Sequence, residues 1–164
     1  MSKAKSRGRR SFKPYLFVVI QAGLLLGLVL LPSPIVRPSS LVQLIGRLFE
    51  LIGIGVLLIA IYDLRRSLTV MPTPTDRGVL QICGSYRYVR HPMYSGVIML
   101  ALGIALSSGG VYKYLVCGGL IVLFHYKAGY EEELLQAKYP GYAEYMKRTP
   151  RFFPVSWRNN SSTE

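Results

Sequence analysis

Four apolar runs separated by polar segments dominate the chain. They cover residues 14–36, 41–62, 92–106 and 111–130. The first run is long enough for an α-helix to cross about 30 Å of hydrocarbon. The last two are joined only by "SSGG" (107–110), so we expect them to form an antiparallel helical hairpin. The pattern predicts an all-α, polytopic membrane protein with four transmembrane helices.

The polar segments between these runs divide a single membrane domain, residues 1–164, into parts. They predict a basic tail at 1–13, two spans within 14–62, a loop at 63–91, the hairpin at 92–130, and a cofactor lid and tail at 131–164. In "YPGYAEYMKRTPRFFP" (139–154), Tyr142 and Tyr145 are spaced to share one helix face. This spacing predicts a C-terminal amphipathic helix that lies at the membrane interface.

The positive charge is segregated into particular segments. The formal net charge is +12, and most basic residues lie in 1–13, in 63–91 and from Lys127 onward. The two opposite loops carry only Arg37 and Lys113. The positive-inside rule therefore places both termini in the cytoplasm. Because the basic residues flank apolar runs and form no single stripe, we expect membrane lipids as partners and no nucleic acid.

One pair of ionisable residues lies inside the second apolar run. Arg47 and Glu50 are three positions apart, so they share a helix face and are able to pair. Ionisable groups within a span are costly and usually face protein or water. Two interpretations stay open, a pair that helps two helices pack and a part of a functional site.

Few side chains of the chain are suited to binding a metal ion. Cys83 and Cys117 are its two cysteines, and they support neither a disulfide framework nor zinc spacing. The two histidines, His91 and His125, are far apart along the chain. The sequence therefore predicts no metal site.

The stretch "YRYVRHPMYSG" (86–96) places basic and aromatic side chains where the third apolar run begins. Proline favours the first turn of a helix, so the helix should begin near Pro92, with its positive dipole end beside Arg90 and His91. This arrangement suits an anion such as a carboxylate or phosphate. Tyr86 and Tyr94 add hydroxyl groups and ring faces. The alternative is an interfacial belt of tyrosines and arginines without a ligand.

Three consecutive glutamates, Glu131–Glu133, follow the fourth apolar run. The predicted hairpin would bring them close to Pro92, so acidic and basic groups would meet at one cytoplasmic rim. A pocket with both signs of charge suits an amino-acid head group. The alternatives are a solvated helix face or salt bridges to Arg87 and Arg90.

Three stretches together resemble the isoprenylcysteine carboxyl methyltransferase family of integral-membrane enzymes, which overlaps the phospholipid methyltransferases. They are "GSYRYVRHPMYSG" (84–96), "EEELL" (131–135) and "YMKRTPRFFP" (145–154). The resemblance covers about residues 84–154. The chain departs from the family pattern at Tyr139-Pro140-Gly141, where the spacing before Tyr142 is altered.

The resemblance implies an S-adenosylmethionine-dependent methyltransferase with a lipophilic acceptor from the bilayer: an isoprenylcysteine-like carboxylate, a lipid amine or a thiol. It assigns cofactor binding to Arg90, His91, Pro92, Tyr94, Glu131 and Glu132, to which the sequence pattern adds Tyr86. Glu132 and Arg90 are the expected catalytic residues. For an amine acceptor, Glu132 would take the proton.

Two other functions remain open from the sequence. A sterol-reductase-type membrane enzyme that uses NADPH carries a similar Arg-His-Pro element, although asparagine typically follows its proline and Met93 stands here. The other alternative is a non-catalytic membrane anchor or transporter component, in which the arginines and tyrosines would be interface anchors only.

Overall fold

The computed structural model of the chain describes residues 13–32, 38–69 and 84–154. Within these ranges the protein is all-α, as expected, and no strand occurs. The elements are α1 (Lys13–Leu30), α2 (Ser40–Thr69), a 3-10 helix (Gly84–Arg87), α3 (Pro92–Ser108), α4 (Val111–Lys138) and α5 (Tyr142–Arg148). The predictions for residues 1–12, 33–37, 70–83 and 155–164 lie outside the described residues.

One described helix is long and apolar enough to cross a membrane. It is the part of α2 from Ser40 to Arg65, 26 residues with a mean hydropathy of 2.3. Pro14–Leu30 and Pro92–Ser108 are shorter apolar helices. Four membrane crossings and the orientation of the termini stay predictions.

The helix boundaries differ from the apolar runs. The first helix ends at Leu30 and not at residue 36, because Pro32 disfavours helical backbone at the residue before it. The fourth helix continues beyond residue 130 to Lys138. Its added turns consist mainly of Glu, Leu, Gln, Ala and Lys, which have high helix propensity. The acidic cluster therefore lies on the same rigid helix as the apolar run.

Glycines allow α2 and α3 to approach each other at backbone distance. A Cβ atom added at Gly46 would lie 2.6 Å from the backbone N of Ser107, and one at Gly53 would lie 2.6 Å from that of Leu100. From the other side, the same test at Gly96 and Gly103 also meets α2. Small residues at such crossings let helices pack in an apolar medium. We call this contact the glycine seam.

Glu50 joins α2 to α3 at one end of the glycine seam. Its Oε1 accepts a hydrogen bond of 2.5 Å from the Ser107 hydroxyl, whereas Arg47 is exposed. The sequence left two interpretations of Arg47 and Glu50 open. The contact of Glu50 agrees with a role in helix packing, although the hydrogen-bond partner of Glu50 is Ser107 on α3.

The core lies where α1, α3 and α4 meet. Its buried side chains are Leu28, Ile98, Ala101, Cys117, Leu120 and Phe124. Tyr94, in the first turn of α3, contacts both Phe124 and Glu131 of α4. The start of α3 therefore lies beside the C-terminal half of α4, which brings the acidic cluster to the Arg-His-Pro element. A transmembrane hairpin built from these helices stays a prediction.

Large aliphatic side chains cover the outer faces of α1, α2 and α4. Val19, Leu51 and Leu115 are each more than 65% exposed. A soluble domain rarely exposes contiguous apolar surface of this kind, and a bilayer would cover it. The surface therefore agrees with a membrane protein.

The glycine seam predicts that alanine substitutions at two nearby glycines of α2, Gly53 and Gly55, have different effects on stability. Gly53→Ala should lower the free energy of unfolding by about 1–3 kcal/mol, because the new methyl group meets backbone that cannot move away. Gly55→Ala is the matched control, since a Cβ there has nothing within 4 Å. Thermal melting of the purified protein in detergent measures both. Equal melting temperatures for the two variants would contradict the seam.

Candidate active site

A short C-terminal segment, residues 149–152, lies across the start of α3; we call it the strap. The backbone N–H of Arg90 donates to the carbonyl of Pro150 at 2.9 Å, and that of His91 donates to Arg151 at 3.0 Å. The Ser95 hydroxyl donates to the carbonyl of Phe152. The strap therefore fixes the backbone on which Arg90 and His91 stand.

Four backbone N–H groups around the start of α3 are already hydrogen-bonded within the chain. The N–H groups of Tyr94 and Ser95 both donate to the carbonyl of His91, at 3.1 and 3.2 Å, and Pro92 has no N–H. With the N–H groups of Arg90 and His91 bound to the strap, these donors are not available to an anion. The side chains, more than the helix N-terminus, are what the site offers a ligand.

Glu132 lies at the centre of the cluster and is 1% exposed. Arg151 donates from Nη2 to Oε2 at 2.5 Å and from Nε to Oε1 at 3.2 Å. Nε2 of His91 lies 3.0 Å from Oε1, and Nη1 of Arg90 lies 3.1 Å from the same oxygen. One carboxylate thus joins α4, the start of α3 and the strap.

The environment keeps Glu132 ionised. Burial alone would raise its pKa, but the hydrogen bond from Arg151 and the charges of Arg90 and Arg151 outweigh burial, and the pKa is lowered. Burial also lowers the pKa of His91, and the nearby carboxylates only partly oppose this shift. At neutral pH, His91 is therefore a neutral ring. Because ionised Glu132 only accepts, Nε2 carries the ring proton, which leaves a lone pair on Nδ1.

Arg90 is buried but not fully hydrogen-bonded. Its side chain is 10% exposed, and its Nε and Nη1 have no hydrogen-bond partner among the residues that the structure describes. Nη1 stands within ion-pair distance of Glu132, yet its N–H groups do not point at that oxygen. Buried donors without an acceptor are rare and costly. These two nitrogens are able to bind an anionic ligand.

Glu131 is the more accessible carboxylate of the cluster. Its side chain is 39% exposed, and Oε2 lies 3.8 Å from Nδ1 of His91. Oε1 accepts a hydrogen bond of 2.7 Å from the Tyr94 hydroxyl. The Tyr94 ring stacks on His91 at 5.3 Å and on Phe124 at 4.5 Å between centroids. The stacked rings hold the site against the apolar core.

The 3-10 helix connects α5 to α2 by hydrogen bonds on both of its sides; we call this connection the outer wall of the site. The Tyr145 hydroxyl donates to the carbonyl of Tyr86 at 2.5 Å, and the N–H of Ser85 donates to Asp63 at 2.6 Å. Gly84 has φ +64°, and a Cβ there would collide with the Asp63 carboxylate. Burial raises the pKa of Tyr142, next to Tyr145, to about 12, so its hydroxyl is neutral.

An open cleft of about 650 Å³ lies beside this wall. It is lined by Arg87, Gly141, Glu144, Tyr145, Arg148 and Thr149. The cleft lies between α5 and the 3-10 helix. Its lining therefore comes from two parts of the chain that are distant in sequence.

The structure brings together five of the seven residues that the sequence singled out. Arg90, His91, Tyr94, Glu131 and Glu132 form one cluster, and their roles stay predictions. Pro92 is buried at the first turn of α3, and Tyr86 contributes its backbone carbonyl to the wall. Arg151 was not predicted as a site residue. Pro150 and Pro154 indicate that Arg151 lies outside a regular helix, but they do not indicate its contact with Glu132.

The fold and cluster define a class: a helical protein with lipid-compatible outer faces and a polar site of mixed charge at one rim. The family model of the phospholipid methyltransferases matches residues 41–141. The chain therefore belongs to this family, one of the isoprenylcysteine carboxyl methyltransferase-like membrane methyltransferases. The comparisons with curated proteins and with solved structures give no significant match. The family match favours a methyltransferase over the reductase and anchor alternatives.

The contacts of Glu132 predict that its charge is structurally required. Glu132→Gln should lower the free energy of unfolding by about 3–5 kcal/mol, because it removes the carboxylate that compensates the buried guanidinium of Arg90 and the partly buried one of Arg151. Glu133→Gln, an exposed neighbour on the same helix, is the control and should change little. Chemical or thermal unfolding in detergent measures both. A Glu132→Gln variant as stable as the Glu133→Gln variant would contradict this assignment.

The lowered pKa values of His91 and Glu132 also predict a pH dependence of stability. The folded pKa of His91 lies below its usual 6.5, so below about pH 6.5 the unfolded chain binds a proton that the folded chain does not, and stability falls. The lowered pKa of Glu132 adds a further loss below its usual 4.5. Melting temperatures from about pH 8 to about pH 4 measure this, with His91→Gln reducing the first loss. A protein that becomes more stable on acidification would show the opposite sign.

Proposed function

We propose that the chain is an S-adenosylmethionine-dependent methyltransferase that acts on a lipophilic acceptor at the cytoplasmic membrane interface. The observation that carries the proposal is Arg90. Its guanidinium is buried, two of its nitrogens have no hydrogen-bond partner in the described part of the chain, and it lies 3.1 Å from Glu132 in a protein of a membrane methyltransferase family. An anionic ligand would supply the acceptors that these two nitrogens lack.

The residues present fit the amino-acid part of S-adenosylmethionine. Its carboxylate matches Nε and Nη1 of Arg90, the buried donors without a partner. Its ammonium matches Glu131, whose Oε2 stands 3.8 Å from the Nδ1 lone pair of His91. The two groups offer charge of opposite sign within one cluster, which a zwitterionic head requires.

When bound, S-adenosylmethionine supplies an electrophilic methyl group on its sulfonium. The chain supplies position: Arg90 and Glu131 orient the head group, and the strap fixes Arg90 and His91. Methyl transfer needs an in-line approach of the acceptor in a site shielded from water more than it needs covalent help. The stack of His91, Tyr94 and Phe124 closes the apolar side of the site.

Glu132 has a different role in this proposal. Both of its oxygens accept from Arg151, and Oε1 also contacts His91 and Arg90. A carboxylate held so strongly in its ionised form is a weak proton acceptor, so we assign it to positioning the two arginines. A general-base role for Glu132, expected from the sequence for an amine acceptor, stays a prediction.

The acceptor is expected to come from the bilayer. An isoprenylcysteine-like carboxylate, a lipid amine and a lipophilic thiol are the candidates, and the family description favours a phospholipid. The exposed aliphatic faces of the helices would give such a molecule access from the side. The cofactor would enter from the aqueous side that carries the basic segments. The positive-inside rule predicts that this side is the cytoplasm.

Equilibrium binding tests the function. Purified protein in detergent should bind S-adenosylmethionine, and Arg90→Gln should weaken binding about 10- to 100-fold, because a charge-assisted contact to the carboxylate is lost. Lys147→Gln is the control, since Lys147 is exposed and forms an ion pair with Glu144 on the surface of α5. Melting temperatures recorded for every variant separate lost binding from lost folding.

The same assay decides between the three functions. Binding of NADPH without binding of S-adenosylmethionine would support the reductase alternative. Binding of neither would support a membrane anchor. Equal affinity of the folded Arg90→Gln variant and the native chain for S-adenosylmethionine would remove Arg90 from the site.

A further inference from the structure

A positive charge of α4 lies at the contact between α1 and α4. Nζ of Lys127 donates a hydrogen bond of 2.8 Å to Oε1 of Gln21 and stands 5.2 Å from the centre of the Tyr94 ring. The side chain is partly buried. Both of these partners are neutral, so neither balances the charge of the ammonium.

The described part of the chain offers Lys127 no carboxylate at ion-pair distance. An ammonium group carries three protons, and Gln21 accepts one of them. A charge in a largely apolar place is expensive unless an opposite charge compensates it. An anionic ligand would supply that charge.

The surroundings of Lys127 are apolar on the α1 side. Phe17 of α1 packs against Tyr130 with ring centroids 6.1 Å apart. Further along the same contact, Leu24 lies against Gly119 and Val116 against Gly27. The charge therefore stands where an apolar tail and a charged group of one molecule would both find partners.

The position of Lys127 along α4 separates it from the proposed cofactor groups. It precedes Glu131 by four residues, about 6 Å along the helix axis and toward the apolar run. Tyr94 lies between the two, with its ring near Lys127 and its hydroxyl on Glu131. An anion on Lys127 would thus adjoin the cofactor site from the lipid side.

We propose that Lys127, whose ammonium group lies beside Gln21, binds the anionic group of the lipophilic acceptor. This inference rests on the proposed function, since it concerns the second substrate of the same site. The group is a carboxylate or a phosphate ester attached to an apolar tail, and the lysine would hold it one ring away from the cofactor residues. Lys127 is then a specificity residue that selects anionic amphiphiles over neutral ones.

Two probes with the same tail test the selection. Oleate carries a carboxylate, and oleyl alcohol carries a neutral hydroxyl group. The full-length protein in a neutral detergent should bind oleate saturably and more tightly than the alcohol. Lys127→Gln should weaken oleate binding at least about 10-fold and change binding of the alcohol less than about 2-fold. Dioleoyl phosphate, compared with oleate, shows whether the site prefers phosphate or carboxylate.

Three variants keep the test decisive if Lys127→Gln folds poorly. Lys127→Arg keeps the charge and should keep the preference for oleate. Gln21→Leu removes the neutral partner and should also keep it, because the ammonium remains. Lys147→Gln, exposed and distant from α1, is the control for general surface charge.

Several outcomes would overturn the proposal. One is an unchanged preference for oleate in Lys127→Gln, and another is equal loss of that preference in Gln21→Leu, which would indicate a structural pair. Unsaturable binding of oleate would indicate that Lys127 meets bulk lipid head groups. Weaker S-adenosylmethionine binding by folded Lys127→Gln would assign the lysine to the cofactor instead.

The proposed function can fail separately from this inference. Its own measurement is S-adenosylmethionine binding by the native chain, which does not depend on Lys127. If that binding is absent while the Lys127-dependent preference for oleate remains, Lys127 binds anionic amphiphiles in a protein with another activity.

Discussion

A buried carboxylate must be compensated inside the protein, and the arrangement around Glu132 follows from this constraint. Arg151 reaches it from the strap, Arg90 and His91 reach it from the start of α3, and Glu132 itself ends the apolar part of α4. Removing the carboxylate of Glu132 would leave the charge of Arg90 without this partner in a place that water barely enters. The same electrostatic requirement that holds these three segments together also brings His91, the neighbour of Arg90 in the chain, to 3.8 Å from Glu131.

The glycine seam makes a second, independent contribution. It holds α2 against α3 through backbone contact, so the start of α3 has a fixed support on its far side. Asp63, near the end of α2, then anchors the 3-10 helix that carries Tyr86. The α3 side of the polar cluster is thus backed by a helix that cannot easily separate from it, and the strap lies across the start of α3.

Local patterns predicted much of this architecture. The apolar runs predicted the helices, and Pro92 predicted the start of α3. The position of Glu131 and Glu132 after the fourth run predicted that they lie close to the Arg-His-Pro element. The predicted hairpin ended at residue 130, where the residues change from apolar to polar. In the structure α4 continues to Lys138, because the polar residues that follow have high helix propensity. The sequence also missed Arg151, whose role depends on backbone pairing with residues about sixty positions earlier. Such long-range pairing leaves no periodic signal.

The strap has a consequence for how the protein is made. Synthesis proceeds from the N-terminus, so the helices that carry Glu132 and Arg90 emerge before Arg151 and the carbonyl groups of Pro150 and Phe152. Until the ribosome has passed those residues, the carboxylate of Glu132 lacks its strongest partner and the start of α3 lacks its cover. The order of synthesis therefore places closure of the polar cluster after both α3 and α4 have been made.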